Sequence, residues 1–147
     1  MWTKSKSIAL SSILVKFVMI LLTIGAFIIP KISEWYDKIS YRESIFWPLT
    51  IILYCTLVPA FIAIFSLNKL ITNINKDNVF VDQNVKLIRI LSWCCFLASL
   101  LFGILGFYRF IAFLLCFAAA FFAIILRVIK NVFEKAITIR EENDYTI

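Results

Sequence analysis

Four apolar blocks, Ile8–Ile29, Ser44–Asn68, Ile90–Tyr108 and Phe110–Leu126, occupy most of this chain, and none of its nine acidic residues lies within them. A helix rising about 1.5 Å per residue needs about 20 residues to cross a hydrocarbon core about 30 Å thick. Each block is near that length. The chain is 63% hydrophobic, where soluble domains run at about 45–50%. The pattern predicts an all-α fold, a four-helix transmembrane bundle forming a single integral membrane domain over 1–147. The spans fall at about 8–29, 45–68, 88–108 and 110–129, with a loop at 69–87 and a tail at 130–147.

The placement of charge orients the bundle. With the N-terminus inside, eleven of the fifteen basic residues flank or follow spans on the cytoplasmic side, from Lys4 and Lys6 through Arg89 and Arg127 to Arg140. Four remain outside: Lys31, Lys38, Arg42 and Arg109. The positive-inside rule then puts both termini in the cytoplasm and the protein in the plasma membrane. Anionic headgroups attract such residues by about 1 kcal/mol each, so the lipid bilayer accounts for the net charge of +6 without direct nucleic-acid binding.

The first block has the basic start of a signal peptide but is longer than an export signal needs and lacks a small-x-small cleavage site, so it reads as an uncleaved helix ending at Pro30. Lys16 lies about two turns from its cytoplasmic end. It reads as a snorkelling side chain rather than a buried cation awaiting a partner. In Lys31–Glu43, Ile32, Trp35, Tyr36 and Ile39 share a helical face, which predicts a short separate helix lying in the outer interface. Pro59 sits mid-span in the second helix and predicts a kink, with Thr56 positioned to satisfy a freed carbonyl. That helix should continue to about Asn75 and break at Lys76-Asp77-Asn78, with Asp82 capping the third. Arg109, beside Gly103, Gly106 and Tyr108, predicts a tight outer turn. Ser99 and Gly103 in the third helix and Ala112, Cys116 and Ala120 in the fourth are small residues spaced for close helix packing. Ile129, Val132, Phe133, Ala136 and Ile137 predict that the fourth helix continues as an amphipathic cytoplasmic extension.

Catalytic and cofactor chemistry is hard to place on this chain. There is no His, hence no Ser-His or Cys-His pair and no histidine-based zinc site. Cys55, Cys94, Cys95 and Cys116 all lie in apolar blocks and read as small lipid-compatible side chains. The three glycines do not form a phosphate-cradling loop. No catalytic residue, metal or cofactor is expected, and the protein reads as non-enzymatic.

The loop segment Asn78-Val79-Phe80-Val81-Asp82-Gln83-Asn84-Val85-Lys86-Leu87-Ile88-Arg89 resembles the N-P-F-x-E-E-N-V-x-R-L-R stretch of the YoaS-like family. The ending Glu141-Glu142-Asn143-Asp144-Tyr145-Thr146-Ile147 is similar to that family's E-E-N-D-L-T-I. Val79 departs from the family's proline, and Asp82-Gln83 replaces its acidic pair. The resemblance implies a small four-span bacterial membrane protein of unknown function, often encoded beside a helix-turn-helix regulator. It implies no enzymatic activity. Two functional expectations result. One is a membrane-bound regulatory or sensory partner of a cytoplasmic protein such as that regulator, bound through Asn78, Phe80, Asp82, Asn84, Arg89, Glu142, Asn143, Asp144, Tyr145 and Ile147. The other is a homo-oligomeric transporter, channel or toxin-immunity protein, in which several copies would be needed to enclose a pore.

Overall fold

The computed structural model of the protein describes residues 4–40 and 44–144. Four helices succeed one another: α1 (Lys4–Ile39), α2 (Phe46–Asn75), α3 (Asp82–Tyr108) and α4 (Ile111–Asp144). All four are long and apolar enough to cross a membrane. The described residues contain no strand. The short links make neighbours antiparallel, which gives the array two ends. The turn end carries the α1–α2 link and the α3–α4 turn; the loop end carries the α2–α3 loop. At 34 residues α4 is about 51 Å long, so it extends about 20 Å beyond an apolar layer about 30 Å thick, on the side of the loop end. The predicted helical extension is therefore present.

The packing is serial. α1 packs on α2, α2 on α3 and α3 on α4, and α1 makes no close approach to α4. The expectation of a bundle is corrected here: the helices form an open array. In the most apolar stretches, 33% of residues are buried in α3 and 28% in α2, but only 11% in α1 and in α4. Lipid replaces protein on the outer helices, because apolar side chains lose nothing by facing hydrocarbon.

The α3–α4 pair is held by the small residues the sequence marks. Ser99 Oγ donates to the Cys116 carbonyl at 3.0 Å, and Ser92 Oγ donates to the Ala123 carbonyl at 2.9 Å. A Cβ on Gly103 would meet Cys116 Sγ at 3.4 Å, and one on Gly106 would sit 2.8 Å from the Phe113 ring. Gly106 thus leaves the room that the Phe113 ring occupies. Phe110, Phe117 and Phe121 point outward and are exposed for lipid contact.

A second correction concerns the separate interfacial helix predicted after Pro30. α1 runs unbroken through Pro30 to Ile39. Proline cannot donate to the carbonyl four residues back, which here is Ala26. Tyr54 of α2 donates its hydroxyl to that carbonyl at 3.3 Å. A neighbouring helix thus supplies the missing donor, and the helix continues. α2 likewise continues through the buried Pro59. Thr56 donates to the Ile52 carbonyl at 2.7 Å, not to the Cys55 carbonyl that Pro59 frees.

Candidate functional site

Of the predicted partner-binding residues, Asn78, Phe80, Asp82, Asn84 and Arg89 lie at the loop end, where the sequence breaks α2 and restarts α3. The break is a Schellman turn. Asn78 N–H donates to the Asn73 carbonyl at 3.0 Å and Asp77 N–H to the Ile74 carbonyl at 3.1 Å. Asp77 takes the left-handed conformation this turn requires, with φ 59°. Aspartate tolerates it better than most side chains, though less well than glycine.

Asn84 organises the rest of the loop. Its side chain is fully buried. The amide nitrogen donates to the Asn78 and Val79 carbonyls, both at 2.8 Å, and its oxygen accepts from Asn73 Nδ2 at 2.8 Å. Asn73 also donates to Gln83 at 3.2 Å. Asn84 therefore does not present its side chain to a partner; it shapes the loop that does. Asp82 is corrected as well. Val81 holds the N-cap position and no side chain caps α3. Asp82 is exposed in the first turn, where its charge complements the helix dipole without a capping bond.

Phe80 and Arg89 connect the loop end to α4. The Phe80 ring is 44% exposed and packs on Phe133 with centroids 5.6 Å apart. Arg89 Nη2 pairs with Glu134 Oε1 at 2.9 Å, while Lys130 Nζ takes the other oxygen at 2.7 Å. The Lys130 ammonium, then the Arg89 guanidinium, holds the Glu134 carboxyl below its usual range. Next to this cluster, Arg127 stacks on Trp93 at 5.6 Å. Glu142 and Asn143 lie exposed in the last turn of α4, each with an interaction inside the chain. Asp144 ends that helix. Tyr145 and Ile147 lie outside the described residues.

Sequence reasoning names Asn78, Phe80, Asp82, Asn84 and Arg89 but none of the contacts they make. It does not single out Asn73, Gln83, Lys130, Phe133 or Glu134 as site residues. The amide-rich run from Asn73 to Asn84 is a signal for a hydrogen-bonded turn. No local signal pairs Arg89 with Glu134, 45 positions later. Among the described residues no group of His, Cys, Asp or Glu is arranged to hold a metal ion.

The loop end lies within the part of the chain with known relatives. Residues 31–147 match the profile of the family described as "Protein of unknown function (DUF2975)". The chain belongs to this family. It is also 26% identical to "Uncharacterized membrane protein YoaS" of Bacillus subtilis (strain 168), over 160 aligned positions covering 94% of this chain and 98% of that protein. No solved structure matches it significantly. This DUF2975 member is thus a multi-pass membrane protein of the YoaS-like group, as the loop and ending motifs imply.

Proposed function

We propose that this protein is a non-enzymatic regulatory or sensory membrane protein that docks a soluble cytoplasmic partner at its loop end. Both termini are then cytoplasmic and the membrane is the plasma membrane, in keeping with the excess of Lys and Arg at that end. One observation carries the reading: the loop and the projecting part of α4 form an ordered surface that leaves apolar groups uncovered beyond the membrane layer. Phe80, Val132 and Ile139 are 44%, 59% and 49% exposed. Apolar positions on a projecting helix are a common docking face for another protein. A small helix-turn-helix regulator, which the family resemblance implies as a neighbour, is the partner we favour. The test is co-purification from native membranes. Phe80→Ala with Val132→Ala, or deletion of residues 141–147, should abolish capture of the regulator and change transcription of its targets. Unchanged capture and transcription would sink the reading.

The open packing supports a second reading. Only 11% of the apolar stretch of α1 and of α4 is buried within the chain, which leaves two long faces for a homo-oligomer. A transporter, channel or toxin-immunity role would use such an assembly. Solute flux into liposomes holding the purified protein tests transport, and survival of cells lacking the protein under a peptide-toxin challenge tests immunity.

A further inference from the structure

Between α3 and α4 an apolar slot of about 220 Å³ runs along Trp93, Phe96, Ala120, Ala123 and Ile124, bounded at one end by Ser92 and Arg127. Ser92 spends its hydroxyl on the Ala123 carbonyl, so the slot wall offers almost no free polar group. The charged end opens into a basic recess lined by Arg89, Arg127 and Lys130, which shares Ser92, Trp93 and Arg127 with the slot. The two adjoin, apolar along the slot and cationic at the recess. Three cations there face one carboxylate, Glu134, which already pairs with Arg89 and Lys130. Arg127 is exposed and has no acidic partner among the described residues; its guanidinium is held instead over the Trp93 ring.

We propose that this feature binds an anionic phospholipid of the leaflet at the loop end, with the phosphate against Arg127 and an acyl chain in the slot. Depth and charge both favour that occupant. Trp93 and Arg127 stand at the ends of their apolar blocks, the level at which headgroups meet hydrocarbon and tryptophan rings concentrate. Trp93, Phe96 and Ile124 are 51%, 45% and 63% exposed, so the slot opens sideways to the surrounding lipid. A free anion would fill the recess and leave the slot empty; a zwitterionic lipid would fill the slot without answering the net positive charge. Basic recesses between membrane helices at the headgroup level are a known mode of anionic-lipid recognition.

The test uses the full chain purified in detergent and offered equal amounts of phosphatidylglycerol and phosphatidylcholine, with bound lipid read by native mass spectrometry. Phosphatidylglycerol should be retained in preference. Arg127→Gln should weaken that retention about fivefold, equivalent to about 1 kcal/mol, and leave phosphatidylcholine unchanged. Ile124→Trp, which fills the slot from its exposed side and keeps every cation, should also lower phosphatidylglycerol retention. A readout without changes at the site comes from a Trp2→Phe, Trp35→Phe, Trp47→Phe protein, in which Trp93 fluorescence should be quenched more by brominated phosphatidylglycerol than by brominated phosphatidylcholine. Equal retention or equal quenching by the two lipids overturns the proposal. So does displacement of phosphatidylglycerol by millimolar inorganic phosphate with no effect of Ile124→Trp, which would mark the recess as a site for free anions.

Discussion

The two ends of the array are finished differently. At the turn end the charged groups Asp37 and Arg109 are used on neighbouring polar groups. Asp37 at the end of α1 accepts from the Ser44 hydroxyl at 2.7 Å and from the Ile45 N–H at 2.9 Å, which ties α1 to the start of α2. Arg109 donates to Ser40 Oγ at 2.6 Å and lies over the Tyr36 ring at 6.0 Å, which ties the α3–α4 turn to α1. The second link joins elements that make no helix-to-helix contact, and it places Arg109 at an edge, as its position between two spans suggests. At the loop end the interior is equally well bonded around Asn84, yet Phe80, Val132, Arg127 and Lys86 remain exposed. The lesson is that the turn end closes the fold, while the loop end is built to be ordered and still offers surface.

Substitutions at either end would break or sharpen that contrast. The largest effect is expected at Asn84. Asn84→Ala strands the Asn78 and Val79 carbonyls and should cost roughly 2–3 kcal/mol, read as a lower unfolding midpoint in mixed detergent and as protease cleavage between Lys76 and Val81. A mild loss with an intact loop would mean that the loop end is not internally specified. Gly106→Ala comes next. Its Cβ would press on the Phe113 ring, for a loss of about 1–3 kcal/mol. Phe113→Leu in the same protein should recover part of this, and purely additive losses would show that the two residues do not share the turn.

Asp37 tests the turn end by pH. Its pKa is lowered from 3.8, first by the Ser44 hydroxyl, then by the Ile45 N–H, with Arg109 contributing. A depressed carboxylate pKa gives stability that is complete above the unfolded value and lost as pH falls through the folded one. Hydrogen-exchange protection of the Ile45 amide should therefore hold from neutral pH to about 4 and drop below it. Asp37→Asn should remove that pH dependence. The smallest effect is a gain: Asp77→Gly relieves a left-handed aspartate and should stabilise the loop end by a few tenths of a kcal/mol to about 1. A loss there would show that the Asp77 side chain has a role beyond the turn.

How much was legible in the sequence varies with the range of the interaction. The break after Asn75 and the turn at Arg109 are local, set by turn-forming residues and by the length limit on a span, and both lie where the sequence puts them. The small residues of α3 and α4 likewise announce a close contact, because only they let backbones approach. Pro30 misleads for the opposite reason. Whether a proline ends a helix depends on which group satisfies the carbonyl behind it, and here the donor is Tyr54, 28 residues from Ala26. The cap expected from Asp82 is absent because the chain enters α3 through an extended Val81, which makes Asp82 the first helical residue.

Four spans, their approximate limits and their membrane destiny derive from composition and periodicity alone, since bilayer thickness and backbone hydrogen bonding leave few alternatives to an apolar stretch of this length. Tertiary structure decided the rest. Only packing could choose an open series over a closed bundle, because lipid solvates an uncovered apolar face as well as another helix does. Only packing could bring Arg89 to Glu134, Phe80 to Phe133 and Trp93 to Arg127, and set an apolar slot against a basic mouth. Those contacts join positions far apart in the chain, and no local pattern records them.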